Sequence, residues 1–164
     1  MTGYVLVFAI GFESKMAARL GEMGQREKAL AVIGQAVAIW RRLAQKNSAV
    51  FKPRLASSLH NLSVYLVYMG QKENALINIE QTVEIRRRLT LKNPSAFESD
   101  LASSLHQMSS CLNKVGDGEK ARVIIEQAVE IWKRLVSDNP GPGPAAFEPE
   151  LADHSCLFTL TNCH

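Results

Sequence analysis

The sequence predicts an all-α fold, a right-handed α-solenoid of antiparallel helix pairs, on three observations. A block of sequence recurs three times at a spacing of 46 residues. Apolar residues fall at helical intervals within each block. A glycine punctuates each block at the same place, at Gly24, Gly70 and Gly116. The ladder continues through Ala29, Ala75 and Ala121, then Ile39, Ile85 and Ile131, then Leu43, Leu89 and Leu135, then Asn47, Asn93 and Asn139. Leu55-Ala56-Ser57-Ser58-Leu59-His60 returns unchanged as Leu101-Ala102-Ser103-Ser104-Leu105-His106. A repeat of this length is a supersecondary unit that buries its apolar face only by stacking on copies of itself.

In chain order, residues 1–11 form an atypical N-terminal segment. Its apolar run, residues 4–10, is too short to span a bilayer, which takes about 20 residues. No Lys or Arg precedes it, as one would in a signal peptide. It is expected to pack on the first unit as a terminal helix or an irregular end. The repeat array covers 12–148, with units near 12–50, 51–96 and 97–146. Residues 149–164 are a truncated fourth unit or a frayed tail. Phe147-Glu148-Pro149-Glu150-Leu151-Ala152-Asp153 opens like the earlier units, and the pattern then fails.

The middle unit justifies the helix pair. Pro53 is read in the first turn of its first helix, where a missing N–H costs nothing. Leu55, Leu59, Leu62 and Leu66 make an apolar stripe that closes at Met69. Gly70 then caps the helix in the left-handed conformation. A second helix starts near Glu73 and runs its apolar face through Ala75, Leu76, Ile79, Val83, Ile85 and Leu89. Arg86, Arg87 and Arg88 fill its last turns, where the helix dipole favours cations. Asn93-Pro94 ends it, and a loop of about six residues leads to a Phe in each unit, Phe51, Phe97 and Phe147. Four extra residues, Gly141-Pro142-Gly143-Pro144, lengthen the third loop. The small residues Ala75, Ala121, Ala36, Thr82 and Ala128 mark places where helices cross closely.

Three runs carry a family resemblance. The middle unit reads Leu59, Leu62-Ser63, Leu66, Gly70, Ala75, Ile79, Thr82; the third reads Leu105, Met108-Ser109, Leu112, Gly116, Ala121, Ile125, Ala128. The first keeps Met16-Ala17, Leu20, Gly24, Ala29, Ile33 and Ala36. This pattern resembles the tetratricopeptide repeat, in its long, kinesin-light-chain-like form found in fungal and bacterial arrays. It departs from the commonest form in filling the first helix's Trp and Tyr positions with Leu, and in exceeding the standard unit length. The resemblance implies a non-catalytic protein–protein interaction module, with a partner peptide or helix held in a concave groove lined by the first helices. Carried onto this chain, the groove would present His60, Asn61, Tyr68, His106, Gln107, Asn113 and Lys114. The Lys/Asn clamp by which some members hold a C-terminal carboxylate is absent, since the matching positions are His60 and Val64, or His106 and Ser110.

Other functions fare less well. The basic pairs and triplet, Arg41-Arg42, Arg86 to Arg88 and Lys133-Arg134, recur once per unit and suggest nucleic acid. Glu80, Glu84, Glu126 and Glu130 precede them at ion-pairing distance, and the net charge is only +3. No phosphate loop, nucleophile elbow or metalloprotease motif is present, so no enzyme activity and no cofactor is expected. His154, Cys156, Cys163 and His164 match no zinc-finger spacing, so no metal is expected. The odd cysteine count, Cys111, Cys156 and Cys163, suits reduced thiols and a cytoplasmic location. The ends lack polar caps, which points to a structural alternative: a fragment of a larger array, for example behind a nucleotide-binding switch domain, that stacks end to end.

Overall fold

The computed structural model describes residues 19–21 and 23–138. Within them lie five long helices: α1 Arg26–Lys46, α2 Ser48–Tyr68, α3 Lys72–Lys92, α4 Pro94–Val115 and α5 Gly118–Asp138. Each packs along its length on the next. The links between them are so short that neighbours must run antiparallel. No described helix is long and apolar enough to cross a membrane. The segments read as an N-terminal end (residues 1–11) and a fourth unit (residues 149–164) lie outside the described residues.

The glycines do what their spacing predicts. Gly24, Gly70 and Gly116 have φ of 73°, 74° and 92°, the left-handed region. After each, the chain folds back on the helix it leaves. Gln25, Gln71 and Asp117 donate their N–H to the carbonyls of Leu20, Leu66 and Leu112 at 2.8, 2.9 and 2.9 Å. These bonds satisfy carbonyls that a helix end otherwise leaves bare.

The other joint differs from its sequence reading. No six-residue loop separates the units. A single residue, Asn47 or Asn93, turns the chain, with φ near −145° in both. α2 and α4 then begin at once, at Ser48 and Pro94. The Asn47 side chain accepts the N–H of Val50 at 3.3 Å and so caps α2. Pro94 is the first residue of α4, where a proline lacks nothing the helix needs. A proline that looks like a terminator after Asn93 is therefore an initiator. Pro53 is displaced by the same shift: it is the sixth residue of α2 and forgoes a helical bond there.

The core follows the stripes. Leu55, Leu59 and Leu66 of α2 are buried, as are Ala75, Ile79 and Val83 of α3. Leu101, Ala102 and Leu105 of α4 close over Val83, while Cys111 packs with Ile79. Ala29, Ala75 and Ala121 are almost wholly enclosed, as small residues at helix crossings must be. Ser109 uses the close approach to donate to the Ala121 carbonyl on the next helix at 2.9 Å.

One core position breaks the repeat. Trp40 and Trp132 are buried at equivalent places, 2% and 1% exposed. Between them, in register, stands Arg86, only 6% exposed. The sequence places it with Arg87 and Arg88 among dipole-favoured cations in the last turns of a helix; it is a core residue. Its Nη1 donates to the Asp100 carbonyl and to the Ser104 hydroxyl, and its Nη2 lies 3.6 Å from the Asp100 carboxylate. Three atoms of α4 thereby satisfy a charge that burial would otherwise forbid.

A candidate recognition face on the first helices

α2 and α4 are the first helices of the two units whose helix pairs both lie within the described residues. They also touch each other, more closely than α3 touches its alternates α1 or α5. Elements that converge line the inner side of a curved stack, and those that diverge line its outer side.

The residues predicted for that face divide by accessibility. Tyr68, Asn113 and Lys114 are exposed, Tyr68 at 66%. Tyr68 meets Tyr65 edge to face, with ring centroids 6.5 Å apart. These three stand near the C-terminal ends of α2 and α4, where polar chemistry is free to meet a ligand. His60, Asn61, His106 and Gln107 are half-buried instead. His106 lies edge-on to Trp132 at 5.8 Å, and the Gln107 amide is 3.8 Å from the Cys111 sulfur. The helical pattern put all seven off the leucine stripe, but it could not report the width of the neighbouring helix's cover.

His60 has an environment of its own. Arg86 occupies the place that Trp132 holds beside His106, so the imidazole shares its half-buried site with a guanidinium. Burial is the main cause that lowers its pKa to about 4, the Arg86 charge adds to this, and Asp100 opposes it. Its Nδ1 is buried without a hydrogen-bond partner. The ring is neutral near pH 7. Arg86 is itself pushed down by burial and held up by Asp100. Sequence reasoning missed this cluster, although one signal was there: an arginine at a tryptophan's place in the 46-residue ladder.

The basic clusters are largely engaged. Arg41 donates to Gln81 and Arg87 to Gln127, each at 2.8 Å, forming equivalent rungs between successive second helices. Arg88 pairs with Glu84 at 2.6 Å and Arg134 with Glu98 at 2.8 Å. Arg86 is buried, so the stripe that would meet phosphates is broken at its middle.

Among the described residues no group of His, Cys, Asp and Glu is placed to hold a metal ion. His154, Cys156, Cys163 and His164 lie outside them. Cys111 is enclosed, and burial raises its thiol pKa, which disfavours the reactive thiolate.

Comparison with known proteins agrees with the architecture. Residues 55–90 and 101–141 match the family described as tetratricopeptide repeat. The crystal structure of BtubC (BKLC) from P. vanneervenii superposes with a TM-score of 0.67 at 22% identity. The match covers 82% of this chain and 50% of that one, so this chain spans about half of that protein's length. No curated protein matches the sequence.

Proposed function

Because this chain carries tetratricopeptide repeats, we propose that it is a non-catalytic binding module whose ligand is a peptide or helix of a partner protein, held on the inner face of α2 and α4. The observation that carries this reading is the exposure of Tyr68, Asn113 and Lys114 near the C-terminal ends of the first helices α2 and α4. An aromatic ring, an amide and an ammonium offer stacking, bidentate hydrogen bonding and charge within one face. Rigid helices hold them, so little ordering entropy opposes binding. His60, Asn61, His106 and Gln107, half-buried along the same helices, would form the floor. A cytoplasmic partner is in keeping with the cysteine usage.

The test is selection from a random peptide library on the immobilised full chain, followed by titration of the enriched peptides. Tyr68→Ala with Lys114→Ala should weaken them at least about tenfold, the effect of losing a contact or two at an interface centre. Ile77→Ser, on the exposed side of α3, should leave them unchanged. Peptides that respond to Ile77 and ignore the double variant would move the site off this face.

A further inference from the structure

We infer that the partner segment held on the first helices is uncharged over a run of about six residues. The run is built of hydroxyl, amide and aliphatic side chains, with an acidic group only at the end that meets Lys114. This rests on the reading of α2 and α4 as the binding face. Charge is divided unevenly between the two kinds of helix. From Leu55 to Tyr68 of α2 and from Leu101 to Asn113 of α4 there is no Asp, Glu, Lys or Arg. The second helices keep acids along their middles, Glu80 and Glu84 in α3, Glu126 and Glu130 in α5. Whichever side of the two uncharged stretches a ligand meets, it meets no carboxylate, ammonium or guanidinium of theirs.

What does reach solvent there is hydroxyl, amide, imidazole or aliphatic. On α2 Ser57 and Tyr68 are exposed, and His60, Asn61, Val64 and Val67 are half-buried. On α4 Ser103, His106, Gln107 and Ser110 are half-buried. Burial keeps the His60 ring neutral near pH 7, and Arg86 beside it is buried and already paired with Asp100. A charged ligand residue laid on such a face gives up its hydration and meets no opposite charge. Hydroxyls and amides donate and accept alike, so they match a peptide backbone and neutral polar side chains. The uncharged stretch of α4 is roughly 20 Å long, which about six residues of extended chain laid along it would span. α2 and α4 run in the same direction, so their ends set the limits of the run. Lys52, Arg54, Glu98 and Asp100 stand on its N-terminal side, and Lys114, the only Lys or Arg of α4, on its C-terminal side. Tyr68 holds the place of Lys114 on α2, so that helix adds no second cation there.

Selection from a random peptide library on the immobilised full chain, with titration of the enriched peptides at about 50 and about 500 mM NaCl, tests this. Enriched peptides should carry a run free of Lys, Arg, Asp and Glu. Their affinity should fall less than about threefold between the two salt concentrations. An Asp or Lys placed in the middle of the run should weaken them at least about tenfold, since that charge is desolvated without a partner. Asn61→Asp, which changes charge and hardly shape, should rescue the Lys-bearing peptide and not the Asp-bearing one. Enriched peptides charged throughout the run, yet still weakened by Tyr68→Ala with Lys114→Ala, overturn this inference and leave the binding face standing. Peptides that ignore the double variant overturn the binding face and this inference with it, as does a selection that enriches nothing.

Discussion

At position 86 an arginine fills a slot that is tryptophan one unit earlier and one unit later, and the residues around it have changed to match. In the first joint Arg54 of α2 lies 6.0 Å from the Trp40 ring centroid, a cation over an aromatic face. In the second joint the equivalent of Arg54 is Asp100 and the equivalent of Trp40 is Arg86, so an ion pair replaces a cation–π pair at the same contact. Arg86→Ala should destabilise the fold by about 2–3 kcal/mol, the low end for a broken buried pair, since the Asp100 carboxylate keeps access to water. Arg86→Trp with Asp100→Arg transplants the first joint into the second. It should melt above Arg86→Ala and at or above the wild type in calorimetry, because a packed aromatic pair usually matches or exceeds a buried ion pair. His60 adds a pH dependence of definite sign. Its folded pKa, about 4, is below the ordinary value of 6.5, so the unfolded chain binds the proton more readily. Stability from this group is therefore full above pH 6.5 and falls as the pH drops toward 4. Denaturant titrations of wild type and His60→Gln should diverge by about 1–3 kcal/mol across that window, with the variant giving the flatter profile.

At the scale of the helix, the ends decide most of the architecture, and two of them make measurable statements. An added Cβ at Gly70 would meet no atom within 4 Å, so Gly70→Ala isolates the cost of the left-handed backbone. A loss of about 1–2 kcal/mol in chemical denaturation is expected. Pro53→Ala should act in the opposite direction, because an N–H at the sixth position of α2 can donate to the Ala49 carbonyl. A rise in melting temperature checks it, with an upper bound of about 3 kcal/mol. These elements also show what the sequence discloses. The stripes through Leu55, Leu59 and Leu66, or Ala75, Ile79 and Val83, are legible because burial repeats every three or four residues. The joints at Asn47 and Asn93 are not. A proline reads alike whether it ends one helix or begins the next, and only the extended backbone of the asparagine before it decides between them.

Across the whole molecule, the repeat makes the architecture readable and hides the exceptions to it. A ladder of identical residues implies identical roles, so Arg86 looks like one of three exposed arginines until its burial is seen. The exposure of Tyr68, Asn113 and Lys114 was legible from the helical pattern, whereas the half-burial of His60 and His106 depends on the neighbouring helix. The same accounting bears on nucleic acid. With Arg41, Arg87, Arg88 and Arg134 engaged in rungs and pairs, single-stranded RNA should bind no more tightly than roughly 10 µM at physiological salt by fluorescence anisotropy, within the range of non-specific binding. The one-residue joints have a mechanical meaning. With no slack between α1 and α2 or between α3 and α4, tension applied across the described helices passes directly into helix packing and has no coil to straighten first. A unit that yields releases its whole 46-residue length, roughly 160 Å of contour, before the next bears the load. Stretched between two beads, the protein should lengthen in equal steps, as a ratchet does.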